Sequence, residues 1–172
     1  MDCLIPCKDK GIMNFLGKII NIEDFHANRE LGIYKNHKVV FTNGCFDILH
    51  SGHVLYLNEA RQLGTFLIVG LNSNSSVKRL KGHKRPINPE VDRAIVLAGL
   101  ASVDAVVIFD EETPYELIAQ IQPDVLVKGG DWDVSQIVGY DIVMKKKGVV
   151  RSLMFKEGMS TTSIIDKILY EN

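Results

Sequence analysis

Five short runs rich in apolar residues, at 39–41, 66–71, 105–109, 124–127 and 149–154, constrain this chain more than anything else in it. They are apolar at consecutive rather than alternate positions, so each reads as a strand buried on both faces. Helical patterns separate them. After the first run, Leu57, Ala60 and Leu63 fall at helical spacing and Gly64 follows where a helix stops. Asn88-Pro89-Glu90 opens another helix, with a capping residue, proline at the first helical position and an acid near the positive end. Thr113-Pro114 caps a third that ends before Pro123, and 160–169 reads as a closing helix. Strands alternating with helices predict a parallel sheet covered on both sides, and right-handed crossovers make it a Rossmann-like, doubly wound α/β domain of five strands.

A length of 172 residues suits one such domain. Residues 1–37 read as an N-terminal appendage with a short helix between Ile19 and Tyr34, capped by Asn21; residues 38–172 form the domain proper. Cys3, Cys7 and Cys45 are too few for a disulfide framework, and Cys3 with Cys7 has no second Cys/His pair at finger spacing, so free thiols are expected. The formal net charge of −1 supplies no overall basic field, so neither nucleic acid nor an anionic membrane is an expected partner. An anion site must be local, and residues 78–93 hold six of the 20 Lys and Arg residues. The longest apolar region, 94–109, is interrupted by Ser102 and Asp104. A membrane span needs about 20 apolar residues, and the charged start is unlike a secretory signal, so the cytoplasm is the expected compartment.

In an open parallel sheet, ligands bind at the carboxyl ends of the strands. The first strand feeds Thr42-Asn43-Gly44-Cys45-Phe46-Asp47-Ile48-Leu49-His50-Ser51-Gly52-His53. This segment has neither GxGxxG nor GxxxxGK[ST], which argues against a dinucleotide fold and a P-loop. His50 and His53 stand three apart at a helix start, so both rings can face one ligand beside unsatisfied amides and a positive dipole end. Zinc is not expected, because HExxH spacing and a third ligand are missing. The blander reading is that the two histidines only cap the helix, but their place after the first strand favours a phosphate site.

This segment resembles the HxGH signature of the nucleotidylyltransferase superfamily, which includes cytidylyltransferases and phosphopantetheine adenylyltransferase. The resemblance implies that His50 and His53 stabilise phosphates during attack at the α-phosphorus, and that Asp47 lies near the acceptor and triphosphate. It also implies nucleotide contacts from Thr42, Asn43, Gly44, Phe46 and Gly52. Gly158-Met159-Ser160-Thr161-Thr162 is similar to the family's second signature, a hydroxyl-rich helix start, although in isolation plain capping by Ser160 or Thr161 is the better explanation. The basic stretch 78–86 matches the place of the family's mobile loop, where Lys81 and Lys84 would cover a triphosphate, with Arg93 as further support.

Closer similarity lies in Lys78-Arg79-Leu80-Lys81-Gly82, Arg85-Pro86-Ile87-Asn88-Pro89 and Leu126-Val127-Lys128-Gly129-Gly130-Asp131-Trp132. These resemble the adenylyltransferases of ADP-heptose synthesis, which join AMP from ATP to D-glycero-β-D-manno-heptose 1-phosphate with Mg²⁺. On that likeness Lys128 and Gly129 face the nucleotide, while Asp131 and Trp132 face the sugar. A homo-oligomer is expected, as is a separate heptose kinase, since 37 leading residues cannot supply one. The alternatives are a cytidylyltransferase acting on glycerol 3-phosphate or another small phosphorylated alcohol and, more distantly, a non-catalytic nucleotide-binding subunit.

Overall fold

The computed structural model describes residues 15–154, 158 and 160–170; Cys3, Cys7 and Met159 lie outside them. The apolar runs become β1 (Val39–Gly44), β2 (Phe66–Asn72), β3 (Ala105–Phe109), β4 (Val125–Gly129) and β5 (Val149–Leu153). They form one parallel sheet in the order β3-β2-β1-β4-β5. The order reverses at β1, which therefore has the crevice of a doubly wound sheet at its carboxyl end.

Neighbouring residues of one strand serve opposite faces, which is why the strands read as unbroken apolar runs. Phe41, Ile68, Val107 and Leu126 pack on one face, beneath α1 (Ile22–Glu30), α5 (Tyr115–Ile121) and α6 (Tyr140–Lys145). Val40, Leu67, Val69, Val106 and Val127 pack on the other, with Leu57 and Ala60 of α2 (Ser51–Gln62) and Ala94 and Leu97 of α4 (Glu90–Ala98). Two aspartates hold the amino edge of the sheet. Asp124 accepts from the Val39 amide at 2.8 Å and pairs with Lys146, while Asp104 accepts from the Leu67 amide at 2.7 Å and pairs with Arg61.

Asn21 caps α1, accepting from the Asp24 amide while Asp24 reaches back to the Asn21 amide. The segment expected to be an appendage packs into the body. Phe25 is fully buried and stacks on Tyr34 at 4.9 Å, Arg29 bonds the Gln120 and Ile121 carbonyls, and Ile20 donates its amide to Val106.

Two elements differ from the sequence reading. Residues 78–81, expected in a loop, form the last turn of α3 (Asn74–Lys81), which Ser73 caps by accepting from the Ser76 amide. The start of α4 is shifted by one, with Pro89 as the capping residue. The closing helix α7 runs Thr161–Tyr170. Among the described residues no helix is long and apolar enough to cross a membrane.

Candidate active site

A cavity of about 700 Å³ opens at the carboxyl edge of the sheet, over the reversal at β1. Three groups singled out in the sequence meet on its wall: His50 and His53, Lys81 at the end of α3, and Ser160, Thr161 and Thr162 at the start of α7.

The histidines owe their placement to the turn. His50 is the capping residue of α2, with extended backbone, and its carbonyl accepts from the His53 amide at 2.9 Å. Its side chain makes no capping hydrogen bond, and the two imidazoles stack instead, with centroids 3.9 Å apart and planes 28° from parallel. Phe46, which adopts a left-handed φ of 43°, meets His53 edge-on. Nδ1 of each ring is buried without a hydrogen-bond partner. Such orphaned polar atoms are rare in native folds and mark a place where a ligand completes the bonding. Burial lowers the pKa of both rings; His53 falls to about 4 through burial first and the neighbouring His50 second. The pair is therefore neutral near pH 7 and gains affinity for protons when an anion arrives.

Asp47, also on the wall, is only 3% exposed and already saturated. Its carboxylate accepts from Arg85 Nε at 2.6 Å, from the Ile87 amide and from the Asn88 amide, while the Asn88 side chain donates to its carbonyl. Burial works to raise its pKa, but the Asn88 and Ile87 amides and Arg85 outweigh it and hold the carboxyl below its usual value. Asp47 thus fastens the α3–α4 connection to the β1–α2 turn.

On the β4 side, Lys128 donates to Asn43 Oδ1 at 3.2 Å. Burial, and secondarily the charge of Lys81, lower its pKa. Asn43, Gly44, Phe46, Lys128, Gly129 and Trp132 all line the cavity. Trp132 is half-exposed at the rim, its ring N–H tied to the Gly129 carbonyl at 3.0 Å. Ser160 accepts from the Ser163 amide as a cap, and Thr161 donates to the Ile48 carbonyl, so the hydroxyl-rich start is joined to the histidine turn.

Five expected contacts fall elsewhere. Arg93 is buried and bonded to the carbonyls of Cys45, Asn72 and Asn88 and to Asn74 Oδ1, so it braces loops and is not part of the cavity lining. Thr42 is buried with its hydroxyl 2.6 Å from that of Tyr56, and Gly52 is buried inside the first turn of α2. Lys84 and Asp131 are exposed and off the wall. Conversely, the wall holds Cys45, Tyr56, Arg85, Glu112, Pro114, Gln136 and Val138, which the sequence reading did not single out. Arg85 stood inside the basic stretch and could have been found there. Gln136 and Val138 carried no signal, because only the tertiary fold brings them over the sheet.

Among the described residues no three His, Cys, Asp or Glu side chains converge into a metal site, and the Asp47 carboxylate is already engaged. The hydroxyls and amides present donate to phosphate oxygens, so the site fits Mg²⁺ as an ion that arrives bound to a triphosphate, the usual way this cation is carried.

A histidine pair and hydroxyl-rich helix start facing one crevice of a doubly wound sheet define a nucleotidylyltransferase. Residues 41–167 match the cytidylyltransferase-like family, and the chain belongs to it. Over 134 residues it is 59% identical to the bifunctional protein HldE of Wolinella succinogenes, covering 78% of this chain and 27% of that protein. Over 155 residues it is 57% identical to the bifunctional protein HldE of Campylobacter concisus, covering 90% of this chain and 32% of that protein. The chain therefore spans about a third or less of the length of these curated relatives. Among solved structures, the lipopolysaccharide core biosynthesis protein from Thermoplasma volcanium matches with a TM-score of 0.58 and 28% identity, over 70% of this chain and 98% of that one. A pantoate-beta-alanine ligase from Francisella tularensis shares the fold, with a TM-score of 0.58 at 18% identity, over 90% of this chain and 78% of that one.

Proposed function

We propose that this protein transfers AMP from ATP to D-glycero-β-D-manno-heptose 1-phosphate, giving ADP-heptose and pyrophosphate. The observation that carries the transfer is the stacked imidazole pair with unpartnered Nδ1 atoms, on one wall with Lys81 and the Ser160–Thr162 hydroxyls. The choice of ATP and a heptose 1-phosphate rests on the high identity to the HldE proteins.

The acceptor phosphate is already an anion, so the reaction needs no strong general base. Its oxygen attacks the α-phosphorus in line, the new P–O bond forms, and the bond to pyrophosphate breaks. His50 and His53 hold the oxygens of the crowded phosphorus, where charge concentrates in the transition state. Lys81 faces the leaving pyrophosphate, with the hydroxyls and free amides at the α7 start supplying further donors. Mg²⁺ bound to the phosphates would neutralise part of their charge. Lys128 and Gly129 face the nucleoside, and Trp132 stands at the rim tied to the Gly129 carbonyl. A sugar kinase reaction must supply the acceptor.

The test is pyrophosphate release with ATP and heptose 1-phosphate, set against CTP and glycerol 3-phosphate. The first pair should be the better substrate by far; preference for the second would overturn the proposal. His53→Ala should lower kcat by roughly 10²-fold or more with the circular dichroism unchanged.

A further inference from the structure

The cavity extends beyond its phosphate-facing groups, and the rest of its lining is not basic. Lys81, Arg85 and Lys128 stand with the imidazoles on elements around β1. The remaining lining includes Glu112 and Pro114 of the β3–α5 connection, Gln136 at the end of the 3-10 turn after β4, and Val138 just beyond it. Among the described residues the four salt bridges use Asp47, Asp104, Asp110 and Asp124 as their acids, so the Glu112 carboxylate has no cation. Neither its carboxylate nor the Gln136 carboxamide is engaged in a hydrogen bond among those residues.

A free carboxylate repels phosphate but accepts two O–H donors, and a carboxamide both donates and accepts. With Pro114 and Val138 in the same lining, such groups suit a neutral ring with vicinal hydroxyls and an apolar C–H face. Position agrees with this. The α-phosphorus belongs at the histidine turn after β1, and Gly129 with the α7 start gives the nucleoside its room towards β4. Glu112 precedes α5, whose Tyr115 bonds Asp141 and whose Ile118 lies against Gly139, so the β3–α5 connection adjoins the segment that carries Gln136 and is left for the acceptor.

We propose that the wall carrying Glu112 and Gln136 is the subsite for the hydroxyl-bearing body of the acceptor, and that it selects which sugar phosphate is used. The proposal rests on the adenylyltransferase reading above. A sugar 1-phosphate matches the polarity of the cavity, with its phosphate at the histidine turn and its hydroxyls at Glu112 and Gln136.

Steady-state kinetics of the full chain test it with two variants, Glu112→Gln and Gln136→Ala, each chosen to keep the backbone as it is. Losing hydrogen bonds to a charged group should raise KM for heptose 1-phosphate by about tenfold or more in Glu112→Gln, with KM for ATP changed by less than about twofold. Gln136→Ala should shift the same constant in the same direction, and it carries the test alone should Glu112→Gln fail to fold. A rise in KM for ATP, or no change in either constant, overturns the subsite. Wild-type turnover separates the two claims: absence of activity with heptose 1-phosphate counts against the functional reading itself, whereas normal wild-type kinetics with indifferent variants counts against the subsite alone.

Discussion

His53 links the chemistry of the site to the stability of the fold. Its imidazole titrates near 6.5 when unfolded and near 4 when folded, because burial and His50 both oppose its charge. Between those values the unfolded chain holds the proton and the folded chain does not, so stability falls as pH drops through that window. Asp47 and Asp124 act lower, since their carboxyls are held below the ordinary 3.8 and their contributions vanish only as pH falls past it. Urea denaturation at about pH 7 and about pH 4.5 should show a clear loss for the wild type and a smaller one for His53→Gln. Equal losses would mean that the ring is not held neutral. Asp47 makes a different prediction, because its carboxylate is buried against Arg85. Asp47→Ala strands that guanidinium and should cost about 3 kcal/mol by the same denaturation measurement. It should also lower activity by loosening the connection that follows Lys81.

The elements around the site are held by backbone-directed bonds that a list of motifs does not show. Arg93 projects from α4 and bonds three carbonyls and one side-chain amide oxygen, joining the loops after β1 and β2. Arg93→Lys cannot reproduce a planar fork of five donors, so it should lower the thermal midpoint nearly as far as Arg93→Ala. A midpoint close to wild type for the lysine variant would show that charge alone suffices. Gly64 closes the α2–β2 turn, where an added Cβ would lie 2.3 Å from the Lys38 carbonyl oxygen. Gly64→Ala should therefore destabilise by about 2 kcal/mol, read from the urea midpoint. The reading of residues 78–81 as loop failed for a related reason, while 82–86 do connect α3 to α4 without regular structure. Lys78, Arg79 and Lys81 look like a solvated basic run, yet basic residues also favour the last turn of a helix, and the Ser73 cap sets that helix going.

For the whole molecule, the N-terminal segment is the main addition to what the sequence suggested. Residues 22–34 carry few apolar positions, which is why they read as an appendage, but Phe25 and Tyr34 enter the core against Phe66 and the α5 side of the sheet. Phe25→Ala should cost about 3–5 kcal/mol in thermal unfolding, as for a core aromatic, and not the few tenths expected of an attached tail.

The sequence by itself determined the five parallel strands and the HxGH turn, because burial on both sides writes continuous apolar runs and a helix start after β1 needs its own residue types. It also marked the hydroxyl-rich start of α7 and Lys81. What it could not decide were the facts that depend on which elements meet. Arg93 turned inwards to carbonyls, Asp47 was consumed by the 85–88 connection, and Glu112 and Gln136 came to share a wall though 24 positions apart in sequence. A side chain's role depends on the partners that chain crossovers bring to it, and local composition carries no record of those distances.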